Sequence, residues 1–461
     1  GNICSFFCVI LIQSFYNDCI KEVCIMSKGS TKLKVLHDLF EENNIHPNLM
    51  EGNDALIEAV KENAGTVKDY RHQSYIRHPL VSIIMIVFFA VLANADEWAE
   101  IETFAKKKEK WLREHLDLPH GIPTDDTYRI VMGNIDTEHF FRLTVKLLIE
   151  AVDDLLAYAG GETYGKSITS VDGKVSRGSA RKESADGEIK ALQTLNVYSG
   201  DYGICLGQKF IAEKTNEIPA AQEILRMMDL EGTIVTADAM NCQKGTAEAV
   251  INAGGDYVLA LKGNQQLFHE EVKEYFDTDV CESLRGETGH YMKTTDKEHG
   301  GMAVREYYIT EDIMWFSEKE KWEGLKSIGM VHKVMKKNNG EQTEEDRYYI
   351  CSIGAEAEEF ERAARGHWGI ENGLHWQLDF TFGDDKNTSM AKTSAKNLQT
   401  MKKIALSILR LVRDSYKISM KRIRYDLSLD FENGIEKMLS LLDINSVKSL
   451  IESNGKSSGK K

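Results

Sequence analysis

The period at which apolar residues recur changes near Gly160, and this change constrains the fold of the 461-residue chain more than any other feature. From about residue 32 to Gly160 the apolar residues recur at helical spacing, broken by polar turns and by Pro123. After Gly160, short segments rich in β-branched and aromatic residues are bounded by Gly, Asn and Asp, which is typical of strands. The sequence therefore predicts an all-helical N-terminal domain at residues 26–160 and a mixed α/β domain at residues 161–400.

Within the second domain, the predicted order is three strands followed by helix, strand, helix and strand. The predicted strands are residues 167–171, 192–198, 204–212, 233–236 and 257–261. This order predicts a mixed sheet whose first strands are antiparallel and whose later strands are parallel. Residues 266–352 interrupt the pattern, and we interpret them as a β-rich insertion. Helical periodicity returns at Ala355 and continues into a basic helical region at residues 401–461.

Composition limits where the chain acts and how it binds. The 57 Lys and Arg against 72 Asp and Glu give a net charge of -15, which excludes DNA binding by bulk positive charge and requires local basic patches. Eight cysteines are too few for a disulfide scaffold, which predicts a cytoplasmic location. Residues 1–25 precede Met26 and lack the basic start of a signal peptide, so we interpret them as a non-native extension. The uncharged run at residues 79–95 is too short to span a membrane and predicts a buried helix.

Residues 160–167 match the GxxxxGK[ST] pattern of phosphate-binding loops. Such a loop needs a strand before it and a helix after it, so that backbone N–H groups converge on the phosphates. The predicted order here is the reverse, a helix before and a strand after. We therefore expect no nucleotide to bind.

Three acidic residues stand at positions that suggest a functional site, two at the ends of predicted strands and one on the apolar face of a predicted helix. Asp172 and Asp238 each follow a predicted strand, and the tips of α/β sheets are where sites are built, although an aspartate also commonly starts a turn. Glu371 lies on the apolar face of a predicted helix. The other members of that face are Phe360, Ala364, His367, Leu374 and Leu378. A carboxylate there requires a compensating partner.

Bound cations would meet that requirement, because three carboxylates make an all-oxygen site of the kind that Mg²⁺ prefers. Two such ions, about 4 Å apart, can clamp the attacking and leaving oxygens in phosphoryl transfer. One alternative is an ordinary ion pair of Glu371 with Arg362, Arg365 or a lysine of the sheet. Another is a zinc site from His367, Glu371 and His375, which lacks the HExxH order.

Sequence motifs in three regions carry a resemblance to a known family. The first region holds His78-Pro79-Leu80, Gly121-Ile122-Pro123-Thr124 and Asp126-Thr127. The core holds Val171-Asp172-Gly173-Lys174, Lys214-Thr215-Asn216-Glu217-Ile218, Thr236-Ala237-Asp238-Ala239-Met240 with Gln243, and Leu261-Lys262-Gly263-Asn264-Gln265. The closing signature is His367-Trp368-Gly369-Ile370-Glu371-Asn372 with Leu374-His375-Trp376 and Leu378-Asp379. From about residue 78 to residue 425 the chain resembles the H-repeat-associated transposases, an insertion-sequence branch of the DDE transposases with a ribonuclease-H-like core.

The resemblance implies that Asp172, Asp238 and Glu371 are the catalytic triad and bind two Mg²⁺ ions, for which Mn²⁺ can substitute. It implies that a water molecule activated at the metals hydrolyses the DNA at the ends of the insertion-sequence element. The freed 3'-hydroxyl then attacks target DNA, with no covalent protein intermediate. The implied partners are the terminal inverted repeats and target DNA, held by a homo-oligomer, with no membrane. Two alternatives stay open: a plain ribonuclease-H-like nuclease, and a catalytically inactive, transposase-derived DNA-binding protein.

Candidate DNA contacts are basic residues after the strands and on the C-terminal helix. Residues 401–424 hold eight Lys or Arg and one acid, and their apolar residues keep helical spacing. This predicts a helix with one packed face and one basic face that contacts phosphates. The candidates are Lys174, Arg177, Lys214, Lys262, His367, Lys402, Lys403, Arg410, Lys421 and Arg422. His367 stands near the place where related transposases carry an arginine.

Overall fold

The computed structural model describes residues 31–160, 165–180, 190–211, 216–277, 279–298, 300–316, 318–386 and 392–458. The predicted extension at residues 1–25, half of the phosphate-loop-like segment (residues 161–164) and Lys214 lie outside these ranges. Within them, no helix combines the length and the apolar composition that crossing a bilayer needs.

The N-terminal region is helical, as predicted. Its helices are α1 (Lys32–Glu42), α2 (Ala55–Gly65), α3 (Leu80–Leu92), α4 (Trp98–Lys107), α5 (Glu109–His115), α6 (Asp125–Met132) and α7 (Glu138–Ala159). Helix α3 contains most of the uncharged run and is buried along almost its whole length, which confirms the prediction of a buried helix. Thr124 caps α6, because its side-chain oxygen accepts a hydrogen bond from the backbone N–H of Thr127.

The central sheet has the predicted mixed order. Its first five strands and the two helices between them are β1 (Ser167–Ser176), β2 (Leu192–Ser199), β3 (Ile204–Ile211), α8 (Glu217–Arg226), β4 (Thr233–Ala237), α9 (Lys244–Asn252) and β5 (Asp256–Leu261). Strands β1, β2 and β3 are antiparallel neighbours, whereas β1, β4 and β5 pair in parallel. This is the mixed arrangement, with antiparallel strands first and parallel strands after, that the order of elements predicted.

The segment interpreted as an insertion extends this sheet instead of forming a layer of its own. It contains α10 (Gln266–Phe276), α11 (Val280–Gly286), β6 (Tyr291–Glu298), β7 (Gly301–Thr310), β8 (Ser327–Lys337) and β9 (Gln342–Cys351). Because β9 pairs antiparallel with β5, the described strands form one nine-stranded sheet of order β3-β2-β1-β4-β5-β9-β8-β7-β6. The sequence did not predict β6.

The last part of the chain is helical. It contains α12 (Ala357–Gly366), a helical turn (Trp368–Ile370), a π-helical turn (Glu371–His375), α13 (Trp376–Phe382), α14 (Lys392–Tyr416), α15 (Met420–Leu429), α16 (Phe431–Ser440) and α17 (Ile444–Ser458). Helices α8 to α11 cover one face of the sheet, and α12 packs on the other. Apolar residues of α14 to α17 share one core with those of α1 to α7.

Candidate active site

Asp172 and Asp238 lie side by side on neighbouring parallel strands. The pairing of β1 with β4 ends at Val171 opposite Ala237, and each aspartate is the next residue along the chain. Neighbouring strands are about 4.8 Å apart, which brings the two carboxyl groups to the same edge. The prediction that Asp172 ends its strand is wrong, because β1 continues to Ser176 and Asp172 lies opposite Asn196 of β2.

Two glycines bring the helical segment that carries Glu371 close to this edge. A Cβ at Gly366 would collide with Ile168 of β1, and a Cβ at Gly373 would collide with the hydroxyl of Tyr198 on β2. Ser170 of β1 also donates a hydrogen bond to the carbonyl of Gly366 over 3.2 Å. The backbone therefore approaches the sheet more closely than any larger residue would permit.

Glu371 does not lie on the buried face that the helical spacing predicted. The π-helical turn Glu371–His375 inserts a wider turn and shifts every side chain after it round the axis. The side chain of Glu371, where this turn begins, is 52% exposed, whereas that of His375, where it ends, is only 8% exposed. The buried carboxylate that requires a compensating partner is therefore that of Asp172, whose side chain is 15% exposed, and not that of Glu371.

Asp172, Glu371 and His375 form a compact group, of which Asp172 and Glu371 line a cleft of about 290 Å³. One potential ligand atom from each residue lies within 4.8 Å of those of the other two. The Nδ1 atom of His375 is 3.6 Å from Asp172 Oδ2 and 3.6 Å from Glu371 Oε2. Asp238 lines the same cleft but is not part of this compact group; its Oδ1 accepts hydrogen bonds from the backbone and side-chain amides of Asn241.

The carboxyl groups of Asp172, Glu371 and Asp238 lie close enough to repel one another, and Asp172 is largely removed from solvent. Burial, the adjacent Glu371 and the charge of Asp238 raise the pKa of Asp172 to about 8. The contact with His375 lowers the pKa of the exposed Glu371. Burial and the neighbouring negative charges therefore favour a proton on Asp172 more than on an ordinary aspartate. A divalent cation would displace that proton and relieve the repulsion, and the oxygens present fit Mg²⁺.

A fourth carboxylate, which the sequence did not identify as a site residue, lies beside these groups. Glu217, the first residue of α8, fills the space that a Cβ at Gly173 would need. Burial and the charge of Asp238 raise the pKa of Glu217. The sequence signal that could have indicated Glu217 is Gly173, directly after Asp172, because a glycine there permits the Glu217 side chain to approach β1 closely.

The ion-pair alternative for Glu371 is not what the described residues form. Arg362 donates a hydrogen bond to the carbonyl of Lys166, and Arg365 pairs with Asp296. The zinc alternative also differs from the observed group, since Asp172 takes the place expected for His367. His367 lines the cleft, with Nδ1 3.4 Å from the hydroxyl of Thr236.

The prediction of an exposed basic face on α14 is wrong for Lys402 and Lys403, whose side chains are completely buried. The ammonium of Lys402 donates to the carbonyl of Phe382, and that of Lys403 donates to Asn196 and Gln208. These two ammonium groups therefore face the interior and present no cationic surface to DNA.

Two further candidates are engaged inside the protein. Lys174 is buried and pairs with Asp379 at 2.6 Å. Arg410 donates to the carbonyl of Gly373 over 3.2 Å. Neither side chain presents a free cationic surface of the kind that the sequence predicted.

The remaining described candidates are exposed. Lys262 projects at the cleft that holds Asp172 and Asp238. Arg177, Lys421 and Arg422 are exposed on the surface; Lys421 lies over the ring of Phe380. These are the candidate cations that can reach a phosphate without a rearrangement.

Comparison with known proteins identifies the family. The model "Transposase DDE domain" matches residues 163–408, and the model "DDE_Tnp_1-associated" matches residues 63–147. The chain is 34% identical over 377 residues to "Putative transposase YncI" of Escherichia coli O157:H7, which covers 81% of this chain and 93% of that protein. It is 29% identical over 361 residues to "H repeat-associated putative transposase YhhI" of Escherichia coli K12, covering 77% and 90% of the two chains.

Among solved structures, a cryo-EM piggyBac transposase synaptic complex with hairpin DNA matches with a TM-score of 0.34 and 10% identity, covering 88% of this chain and 83% of that one. The matched DDE domain contains Asp172, Asp238 and Glu371. The chain belongs to the DDE transposases, as an insertion-sequence transposase related to the H repeat-associated proteins.

Proposed function

We propose that the cleft holds two Mg²⁺ ions on Asp172, Asp238 and Glu371 and that it both cuts element ends and joins them to target DNA. The observation that carries this proposal is the convergence of three carboxylates, from two parallel strands and a facing helical turn, on one cleft with a desolvated Asp172. Isolated surface acids would not show such a displaced proton equilibrium.

The chain supplies ligands, geometry and a partly dry environment. Bound divalent cations would neutralise charge on the scissile phosphate and lower the pKa of the attacking water. Asp172 is held by the pairing of β1 with β2, and Asp238 is held at the end of β4 by hydrogen bonds from Asn241, so both would set the position of the phosphate. Glu371 is exposed and sits on a π-helical turn, so its carboxylate can close on the site when DNA enters.

The two reactions share one geometry. In cleavage, a water oxygen bonds to phosphorus while the bond to the 3'-oxygen breaks, and the strand end leaves as a 3'-hydroxyl. In strand transfer, that hydroxyl attacks a phosphate of target DNA and displaces another 3'-oxygen. Lys262, at the rim of the cleft, would contact the strand on which these exchanges occur.

DNA is the partner in this proposal, and the protein acts on it as a homo-oligomer that pairs two ends. Local cations must provide the affinity, because the net charge of the chain is -15. Arg177, Lys262, Lys421 and Arg422 are the exposed residues that we propose for this role.

Cleavage and strand-transfer assays with the Glu371→Gln variant test the proposal. Both activities should fall at least about a hundredfold in Mg²⁺, because removing one ligand disturbs the whole transition-state charge balance. Glu358→Gln is the matched control, since Glu358 is exposed on α12 and does not line the cleft. Cleavage of element ends by Glu371→Gln at the rate of the parent would exclude the assignment.

Pre-cut DNA ends separate the proposed transposase activity from that of a plain nuclease. The parent should join such ends to a target plasmid, whereas a nuclease would only shorten them. A protein that neither cuts nor joins in Mg²⁺ or Mn²⁺, yet binds the ends, would be an inactive descendant.

A further inference from the structure

His375 lies beside the carboxylates of the proposed metal site, and its position alone does not decide whether it is a metal ligand or a hydrogen-bond donor. Its Nδ1 atom faces Asp172 and Glu371 at 3.6 Å each, a separation compatible with two ligands of one metal or with a donor between two acceptors. The protonation of this one nitrogen decides between the two roles, because a protonated nitrogen has no lone pair to offer a metal.

The buried Lys403 fixes the orientation of Asn196. Lys403 is completely buried, and its ammonium donates hydrogen bonds to Asn196 Oδ1 over 2.6 Å and to Gln208 Oε1 over 2.8 Å. An ammonium can only donate, so the oxygen of the Asn196 amide must face it. The Asn196 Nδ2 atom also lies 3.3 Å from the carbonyl of Thr194, which can only accept. Both contacts require the same orientation of the amide.

Asn196 in turn fixes the tautomer of His375. Its Nδ2 lies 3.2 Å from His375 Nε2, and both side chains are buried. Because this amide nitrogen is a donor, Nε2 must be the acceptor. In a neutral imidazole the proton then resides on Nδ1, the nitrogen that faces Asp172 and Glu371.

We infer that His375 is a positioning residue, which directs an Nδ1–H group between the Asp172 and Glu371 carboxylates and leaves the metal site to oxygen ligands alone. This role rests on the proposed function of the cleft. We call the chain of hydrogen bonds from Lys403 on α14 through Asn196 on β2 to His375 on the π-helical turn the relay. It sets the spacing of the two carboxylates from inside the protein. It also explains why a lysine of the basic helix is buried.

Nitrogen NMR of the complete chain, labelled with ¹⁵N-histidine, tests the tautomer directly. The His375 signals are assigned by their loss in His375→Asn. We expect a protonated Nδ1 and an unprotonated Nε2 at pH 7, both before and after Mg²⁺ is added to saturation. An unprotonated Nδ1 in the metal-free protein, or an Nδ1 signal that moves to a metal-bound position, would overturn the inference.

Reversing the relay provides a second test. In Asn196→Asp the new carboxylate still accepts from Lys403 but now also accepts from Nε2–H, which leaves the Nδ1 lone pair facing the carboxylates. We expect the affinity for Zn²⁺, measured with the metal alone, to rise at least about tenfold, because imidazole nitrogen suits zinc.

Gln208→Glu is the matched control, since it adds the same charge beside Lys403 without contacting His375. Its Zn²⁺ affinity and its His375 signals should equal those of the parent. An Asn196→Asp protein with the parent tautomer and parent Zn²⁺ affinity would contradict the relay.

The tautomer of His375 and the catalytic role of the carboxylates can be tested independently. If the protonated Nδ1 is observed but no variant of Asp172 or Glu371 affects DNA cleavage, the relay stands and the proposed function fails. If cleavage depends on those carboxylates and Nδ1 is unprotonated, the proposed function stands and the relay fails.

Discussion

At the scale of single residues, the raised pKa of Asp172 distinguishes this site from an ordinary acidic surface. Asp172 is held in the interior of β1 beside Glu371 and Asp238, and burial is the main reason for its raised pKa. The sequence predicted the three acids, because each stands at a strand or helix position that needs an explanation. It could not predict which one is buried, since that depends on how the helical turn meets the sheet.

Asp172→Asn should change how stability depends on pH in metal-free buffer. Folding raises the pKa of Asp172 from its ordinary value of 3.8 to about 8, so between these values the folded chain holds a proton that the unfolded chain releases. The stability of the parent therefore decreases as pH rises from about 4 to about 8. The variant lacks this contribution, and its thermal midpoint, measured by calorimetry in EDTA, should decrease less. Parallel pH profiles for the two proteins would contradict the burial of this charge.

Gly173→Ala should displace Glu217 from its place beside the site. The new Cβ meets the Glu217 carboxylate, and such overpacking costs about 1–3 kcal/mol. Urea denaturation should show the loss of stability, and cleavage of element ends should fall with it. Gly286→Ala is the control, because no atom lies within 4 Å of the added Cβ. Equal unfolding midpoints for the two variants would show that Gly173 is not required for close packing.

At the scale of elements, the helical segment after β9 shows what sequence periodicity can and cannot predict. The spacing of Phe360, Ala364, Leu374 and Leu378 correctly predicted a buried helical face. The π-helical turn between them leaves no mark on that spacing, so the exposure of Glu371 and the burial of His375 were not predicted. The strand β6 was missed because it is a sheet-edge strand whose last six residues, 293–298, are all charged or polar, so it has no apolar run.

Gly373→Ala should separate the π-helical turn that carries Glu371 from the sheet. The added Cβ collides with the Tyr198 hydroxyl, which pushes the turn and Glu371 away from Asp172. We expect a loss of about 1–3 kcal/mol of stability and a fall in Mg²⁺-dependent cleavage. Gly369→Ala lies in the same segment but meets Tyr198 at an ordinary 3.6 Å, so it should retain both properties. A Gly373→Ala protein as active as Gly369→Ala would contradict the need for this close approach.

At the scale of the whole molecule, the N-terminal helices α1 to α7 and the C-terminal helices α14 to α17 pack into one core, and α14 also lies against the residues that surround the site. Helix α14 lies in the core shared by α1 to α7, and it also sends Lys403 into the relay behind the cleft. The sequence predicted a basic helix with a solvent-exposed face, because charge alone does not reveal a buried lysine with two acceptors. The predicted domain boundary at residue 400 lies within α14, and the division into separate domains stays a prediction.

Arg424 joins the N-terminal helices to the C-terminal ones. Its side chain is completely buried, pairs with Asp96 at 2.7 Å, and donates to the carbonyls of Val91 and Thr381. Arg424→Met leaves these groups without a donor and should lower the free energy of unfolding by about 3–5 kcal/mol.

Arg422→Met is the matched control on the same helix, because Arg422 forms an exposed pair with Asp426. Its unfolding free energy should change by at most about 1 kcal/mol. Similar urea midpoints for the two variants would contradict the joining role of Arg424.

Calorimetric titration with Mn²⁺ tests the central claim most directly, since it measures the proposed site without DNA. The parent should bind Mn²⁺ with heat that saturates, and Asp172→Asn should lose most of that binding. Asp229→Asn, an exposed residue outside the cleft, should bind as the parent does. Binding of Mn²⁺ by Asp172→Asn with the affinity and stoichiometry of the parent would contradict a metal centre built on this carboxylate.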